Sequence, residues 1–226
     1  MMKLGVIFSI ASALIGDFSG KYLAEHQPVK LAAAEWHFET KTGAPILMFG
    51  ILDDGEVKYA IKVPYGLSYL SHSDLDAEVI GLNEFPEDEW PPLYIHYLFD
   101  SMVMIGMWMV LLSLMYVLGL WRKWRFVMSK TYKWLIVLGG PLSIIAIEAG
   151  WWLTEVGRQP WVLRGIQRTE DAATTSGQVD TMLLLFAGLY LILGIGSAVV
   201  LIRMFRNNPV EQELADRTAE EEGVRL

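Results

Sequence analysis

Three blocks of this chain are too long and too apolar to be read as loops or as surface helices. Residues 98–120 carry one charge, Asp100, near the start; 134–153 carry Glu148; 182–204 carry none before Arg203. Each reaches the roughly 20 residues a helix needs to cross a bilayer core. In lipid every backbone group must be satisfied within the segment, so a helix is what such blocks form. Composition agrees: 53% hydrophobic and 19% charged residues, where soluble domains have about a quarter charged. Nine Trp and nine Tyr suit the aromatic belts of membrane surfaces. The absence of Cys excludes disulfide frameworks, Cys-zinc sites, iron–sulfur clusters and Cys nucleophiles. A net charge of −8 argues against nucleic acid as a partner.

A fourth apolar block, 4–15, would rise only roughly 18 Å as a helix. It reads as the outer part of a membrane helix whose beginning lies before this chain, or, with Lys3 ahead of it, as a secretory signal. The linker 121–133 contains Arg122, Lys123, Arg125, Lys130 and Lys133 and no acid, which places it in the cytoplasm. The acidic segment 17–92 and the linker 157–180 are then outside, and the C-terminus is cytoplasmic. The expected fold is all-α: a polytopic membrane helical bundle of about four transmembrane helices with an extracytoplasmic loop domain. Its parts are 1–16, the end of a membrane helix; 17–92, the loop domain; 93–206, a three-helix membrane region; and 207–226, a charged tail. Gly139-Gly140-Pro141 predicts a kink in its helix. Asp53-Asp54-Gly55, between apolar runs, predicts two short strands within 46–63.

Three groups of residues could carry chemistry. Glu148 and Glu155 are seven apart, two helical turns, so both project from one face with Trp151 between them. A carboxylate in hydrocarbon costs roughly 2.5–3.5 kcal/mol. The pair marks a cofactor, a proton path or a buried partner, unless Glu155 simply ends the helix among headgroups. Arg158 could pair with Glu155 or with an anionic ligand, and Gly157 and Pro160 stop the helix. Met102, with Gly106 one turn on, offers a thioether suited to haem iron, although Met at helical spacing is more often packing. The third group is Lys30 and Glu35, on a short helix begun by Pro28 and carried by alanines. They stand about 140° apart, able to flank a ligand. A carboxylate there could take protons from a quinol, with Lys polarising a ring oxygen. A solvated amphipathic helix is the plainer alternative.

Taken together and in order, GDFSGKYLAEHQPVKLAAAE, FDSMVMIGM and EAGWWLTEVGRQPW resemble subunit I of the cytochrome bd quinol oxidases, of the short quinol-loop type. The likeness runs from about Leu4 to Arg206 and covers the later half of the family's subunit. It implies a membrane quinol:oxygen oxidoreductase, a terminal respiratory oxidase of the bacterial or archaeal cell (inner) membrane, oxidising quinol at the outer face and reducing oxygen to water. It further implies that Lys30 and Glu35 belong to the quinol-oxidising region and that Met102 is an axial ligand of a low-spin haem b. Glu155 falls at the ligand position of a high-spin haem b, beside haem d or a second high-spin haem b. Trp151, Arg158 and Glu148 would line the high-spin haems. The implied partners are subunit II and an N-terminal half supplying His ligands.

Two departures stand out. Many members have Arg where this chain has Asp100, and none of His26, His37, His72 or His96 lies inside a clear span. A second reading is therefore a non-catalytic or partial paralogous subunit that keeps the fold and lacks a full haem set. An ion-coupled transporter using Glu148 and Glu155 is a third, without the paired broken repeats expected of one.

Overall fold

The computed structural model describes residues 2–207 apart from Asp54, with side chains described from Leu4 onward. Six helices run α1 (Met2–His26), α2 (Pro28–Ala34), α3 (Gly66–His72), α4 (Ile95–Trp121), α5 (Lys130–Val156) and α6 (Val179–Asn207). Four of them, α1 from Leu4, α4, α5 and α6, are long and apolar enough to cross a membrane. The chain divides into two units, 1–173 and 174–226. The boundary falls inside the stretch 93–206 read from the sequence as one three-helix region. In the second unit α6 buries none of its residues. The expected tail beyond Asn207 lies outside the described residues.

The first helix corrects one boundary. It does not end near Gly16 but continues to His26. Its 25 residues rise about 37 Å, more than a bilayer core requires. Asp17, Ser19, Lys21 and Glu25 make this stretch look like loop, yet Phe18, Tyr22, Leu23 and Ala24 continue the helix. Lys21 and Asp17 pair one turn apart, and no proline intervenes before Pro28.

Helix α5 starts at a Ser129 cap, whose Oγ accepts from the Tyr132 amide at 3.2 Å. The helix is continuous through Pro141. The connection 122–129 returns the chain so that Tyr132 donates to the Leu112 carbonyl of α4. Leu112, Val127 and Tyr132 form a buried cluster there. Helix α1 meets α4 at Ser9 and Ser113, whose hydroxyls are 3.1 Å apart.

Between α1 and α4 the chain is not purely helical. In chain order it forms β1 (Lys41–Thr42), β2 (Ile46–Met48), β3 (Ile51–Asp53), β4 (Glu56–Lys58), β5 (Ile61–Val63) and β6 (Glu78–Val79). β3 pairs antiparallel with β4 across Asp53 and Gly55, and β2 with β5 beyond them. The two ladders make one long hairpin interrupted at Phe49, Gly50 and Tyr59, all with positive φ. This break frees the Phe49 peptide from strand pairing. After α5, β7 (Trp161–Leu163) pairs with β8 (Gln167–Arg168). Arg168 and Arg164 then reach Asp88 (2.6 Å) and Glu89 (3.7 Å) of the interhelical domain.

Candidate functional site

Helix α2 lies at the centre of the larger unit's main core. Val29, Ala32, Ala33 and Ala34 bury against Leu82, Ile95 of α4 and Leu153 of α5. Pro28 supplies the fixed φ of a first turn, and the alanines let neighbouring helices approach closely. The helix ends in paired reverse hydrogen bonds: the His37 amide to the Ala32 carbonyl at 2.8 Å, and the Trp36 amide to Ala33 at 3.4 Å. That pattern needs a left-handed residue, usually Gly. Here Trp36 takes it, with φ 47°, at a cost of about 1–2 kcal/mol. The ring is held on three sides: its indole N–H donates to the Leu93 carbonyl at 2.8 Å, its face stacks on His96 at 3.9 Å, and Tyr97 abuts edge-on.

This ending aims Glu35 inward. Glu35 is 1% exposed, and neither carboxylate oxygen has a partner in full hydrogen-bonding geometry. Burial pushes its carboxyl up to about 8, the nearby Asp100 adds to the rise, and the Leu47 amide offsets a part. Lys30 points elsewhere. Its ammonium donates to the Thr154 carbonyl of α5 at 3.2 Å. Burial first, and the neighbouring Arg158 second, lower its affinity for the proton, while Glu155 opposes them. The two residues therefore point to different places, Lys30 to the end of α5 and Glu35 towards Leu47 and Asp100. A cleft of about 710 Å³ just past the end of α2 is lined by Trp36, Leu47, Leu52, Lys62, Trp90 and Leu93 among others, but by neither Lys30 nor Glu35.

Lys30 joins two motifs that read as separate in the sequence. A Cβ on Gly157 would stand 2.7 Å from Lys30 Cε and 2.5 Å from the Leu153 carbonyl. Glycine avoids the fixed Leu153 carbonyl and leaves the lysine stem its place at this turn. Glu155 and Arg158 pair loosely beside it at 3.7 Å, both about half exposed. Glu148, Trp151 and Glu155 all face away from the core and are exposed, forming one stripe of α5 as their spacing predicts.

Met102 stands on another side of α5. Its sulfur lies 2.8 Å from where a Gly150 Cβ would be, and the residue is half-buried against the α2 core. The structure thus separates Met102 from Glu155 and does not build one site from both. Among the described residues no three His, Asp or Glu side chains converge as a metal cage. Met102 offers one soft thioether packed at Gly150 and Glu155 one exposed carboxylate, a pair of single donors rather than a cage.

Asp100 is buried. Its Oδ2 accepts from the Phe49 amide at 2.6 Å and stands 3.5 Å from Nε2 of His96. His96 is fully buried, its Nδ1 facing the Ala34 carbonyl at 2.7 Å and its Nε2 the Phe49 carbonyl at 3.3 Å. Sequence reasoning did not single out Trp36, His96, Gly150 or Gly157 as site residues. The i,i+4 spacing of His96 and Asp100 was the one readable sign.

Residues 1–209 match the family described as cytochrome bd terminal oxidase subunit I. The chain belongs to that family. It is 43% identical, over 94% of its length, to a Bacillus subtilis (strain 168) protein that bears the name of a cytochrome bd menaquinol oxidase subunit I. To a cytochrome bd ubiquinol oxidase subunit 1 of the same organism it is 32% identical over 85% of its length. The bd oxidase structure from Geobacillus thermodenitrificans superposes with a TM-score of 0.83 at 60% identity, covering 92% of this chain. The chain spans about half the length of these bd oxidase relatives: 48% and 44% of the two sequences and 48% of the solved chain.

Proposed function

We propose that this chain supplies the later half of a membrane quinol:oxygen oxidoreductase of the cytochrome bd type, with the interhelical domain outside and the C-terminus in the cytoplasm. The observation that carries the reading is the seating of Lys30 over Gly157. It sets the α2 motif against the end of the helix that bears Glu155 and Arg158. Two stretches far apart in sequence and unrelated by periodicity are built into one place.

Quinol oxidation releases two protons. Glu35 is the group suited to receive them, because an acid poised near the working pH both accepts and passes on a proton. Lys30, held by Thr154, polarises a ring oxygen or balances charge at the end of α5. Met102 and Glu155 are the side chains that would hold a low-spin haem b and a high-spin haem. Trp151, Glu148 and Arg158 would stand along the face of the latter, which is haem b paired with haem d or with a second haem b. When bound, these groups take electrons from quinol and deliver them to oxygen. The partners in this reading are subunit II and an N-terminal half that brings imidazole ligands. Glu35→Gln should slow quinol turnover in the assembled oxidase while leaving its haem spectrum intact; unchanged turnover would overturn the assignment.

One observation favours a non-catalytic subunit instead. His37 and His96 are both buried and engaged with backbone carbonyls, and Asp100 faces the hairpin. Haem bands that fail to appear when the chain is coexpressed with its N-terminal half would select that reading.

A further inference from the structure

We propose that His96 and Asp100 are positioning residues for quinol oxidation. They form a two-pronged clamp on the first turns of α4 that fixes Glu35 in its buried place; the inference rests on the quinol reading above. The two side chains are four residues apart and so project from one face of the helix. Asp100 accepts from the Phe49 amide at 2.6 Å, and Nε2 of His96 faces the Phe49 carbonyl at 3.3 Å. Both backbone groups of one hairpin residue are thereby held by one helix. They are free to be held because the β2–β5 and β3–β4 ladders stop on either side of Phe49, where φ is 60°.

The other nitrogen of His96 faces the Ala34 carbonyl at 2.7 Å, the residue before Glu35. His96 thus touches the end of α2 and the neck of the hairpin together, and Trp36 stacks on its ring at 3.9 Å. Glu35 follows Ala34 directly in the chain, and its carboxyl has the Leu47 amide of β2 and Asp100 as neighbours. Releasing either prong lets β2 part from α2, which admits water to the Glu35 carboxyl and loosens Trp36 and Leu47 in the lining of the cleft. The clamp also lies two residues from Met102, so the hairpin neck and the thioether share one helical turn and a half. A buried backbone amide left without its acceptor is costly, so loss of the Asp100 contact to Phe49 is not neutral.

The test uses the assembled oxidase containing this chain, with menadiol as the quinol. Hydrogen exchange is followed in peptides covering 46–53, and the haem spectrum is recorded in parallel. Asp100→Ala should speed exchange in those peptides by about tenfold or more and raise the KM for menadiol more than it lowers kcat. Asp100→Asn, which keeps an acceptor for the Phe49 amide, should restore both. His96→Gln, which cannot reach both carbonyls, should behave as Asp100→Ala does and serves where that variant does not assemble. Unchanged exchange in Asp100→Ala and His96→Gln overturns the clamp. Faster exchange with an unchanged KM also overturns it, since the contacts would then be structural only. If Glu35→Gln leaves turnover intact while these variants still speed exchange, the quinol reading fails and the mechanical tie stands by itself.

Discussion

Replacing Glu35 by Gln keeps the shape of the side chain and removes its ability to ionise, so the variant isolates what the buried charge does. In the folded chain the carboxyl is raised from 4.5 to about 8. A raised acid contributes stability that is fully present below its unfolded pKa and is lost as pH climbs through the folded one. The window here is pH 4.5 to about 8. At about 1.36 kcal/mol per pH unit, the loss is about 3 kcal/mol by pH 7 and about 5 kcal/mol by pH 9, with Coulomb repulsion from Asp100 contributing the smaller share. Gln cannot show this loss; any cost of burying its amide is the same at every pH. Thermal or denaturant unfolding of the oxidase in detergent, followed by tryptophan fluorescence from pH 4.5 to 9, should give diverging curves, the wild type falling away from Glu35→Gln as pH rises. Parallel curves would refute the claim that this carboxyl is held neutral by burial.

Three further outcomes follow from the same contacts. Quinol oxidation should accelerate with pH up to about 8, because only the ionised carboxyl accepts a proton, and this limb should vanish in Glu35→Gln. Met102→Leu should alter the low-spin haem bands and Glu155→Ala the high-spin ones, each leaving the other set unchanged, as two donors on different sides of α5 require. Gly157→Ala should displace Lys30, whose Cε stands 2.7 Å from the added carbon, destabilising the α2–α5 junction by about 1–3 kcal/mol and slowing quinol turnover, both measurable on the purified oxidase.

Much of the membrane architecture is legible in the sequence because lipid permits so little else. Blocks such as 98–120 and 182–204 can only be helices there, and the structure extends them by a few residues. The end of α1 was less legible: four polar residues between Asp17 and Glu25 look like loop, and only the pairing of Asp17 with Lys21 shows how the helix carries them. Single-helix spacing also foretells that Glu148, Trp151 and Glu155 share a stripe. What those side chains meet is not periodic. The seating of Lys30 over Gly157 brings in a residue from α2, and the grip on Phe49 depends on a break in a hairpin ladder. Trp36 is hardest of all to foresee, since the left-handed stop it makes is usually glycine's.

The most direct measurement is the rate at which menadiol reduces the haems of the assembled oxidase in stopped flow, comparing wild type with a Lys30→Ala, Glu35→Gln double variant. Haem reduction slowed by orders of magnitude, with the absorption spectrum of the oxidised enzyme unchanged, is the result this account predicts. Equal rates in the two proteins would contradict it.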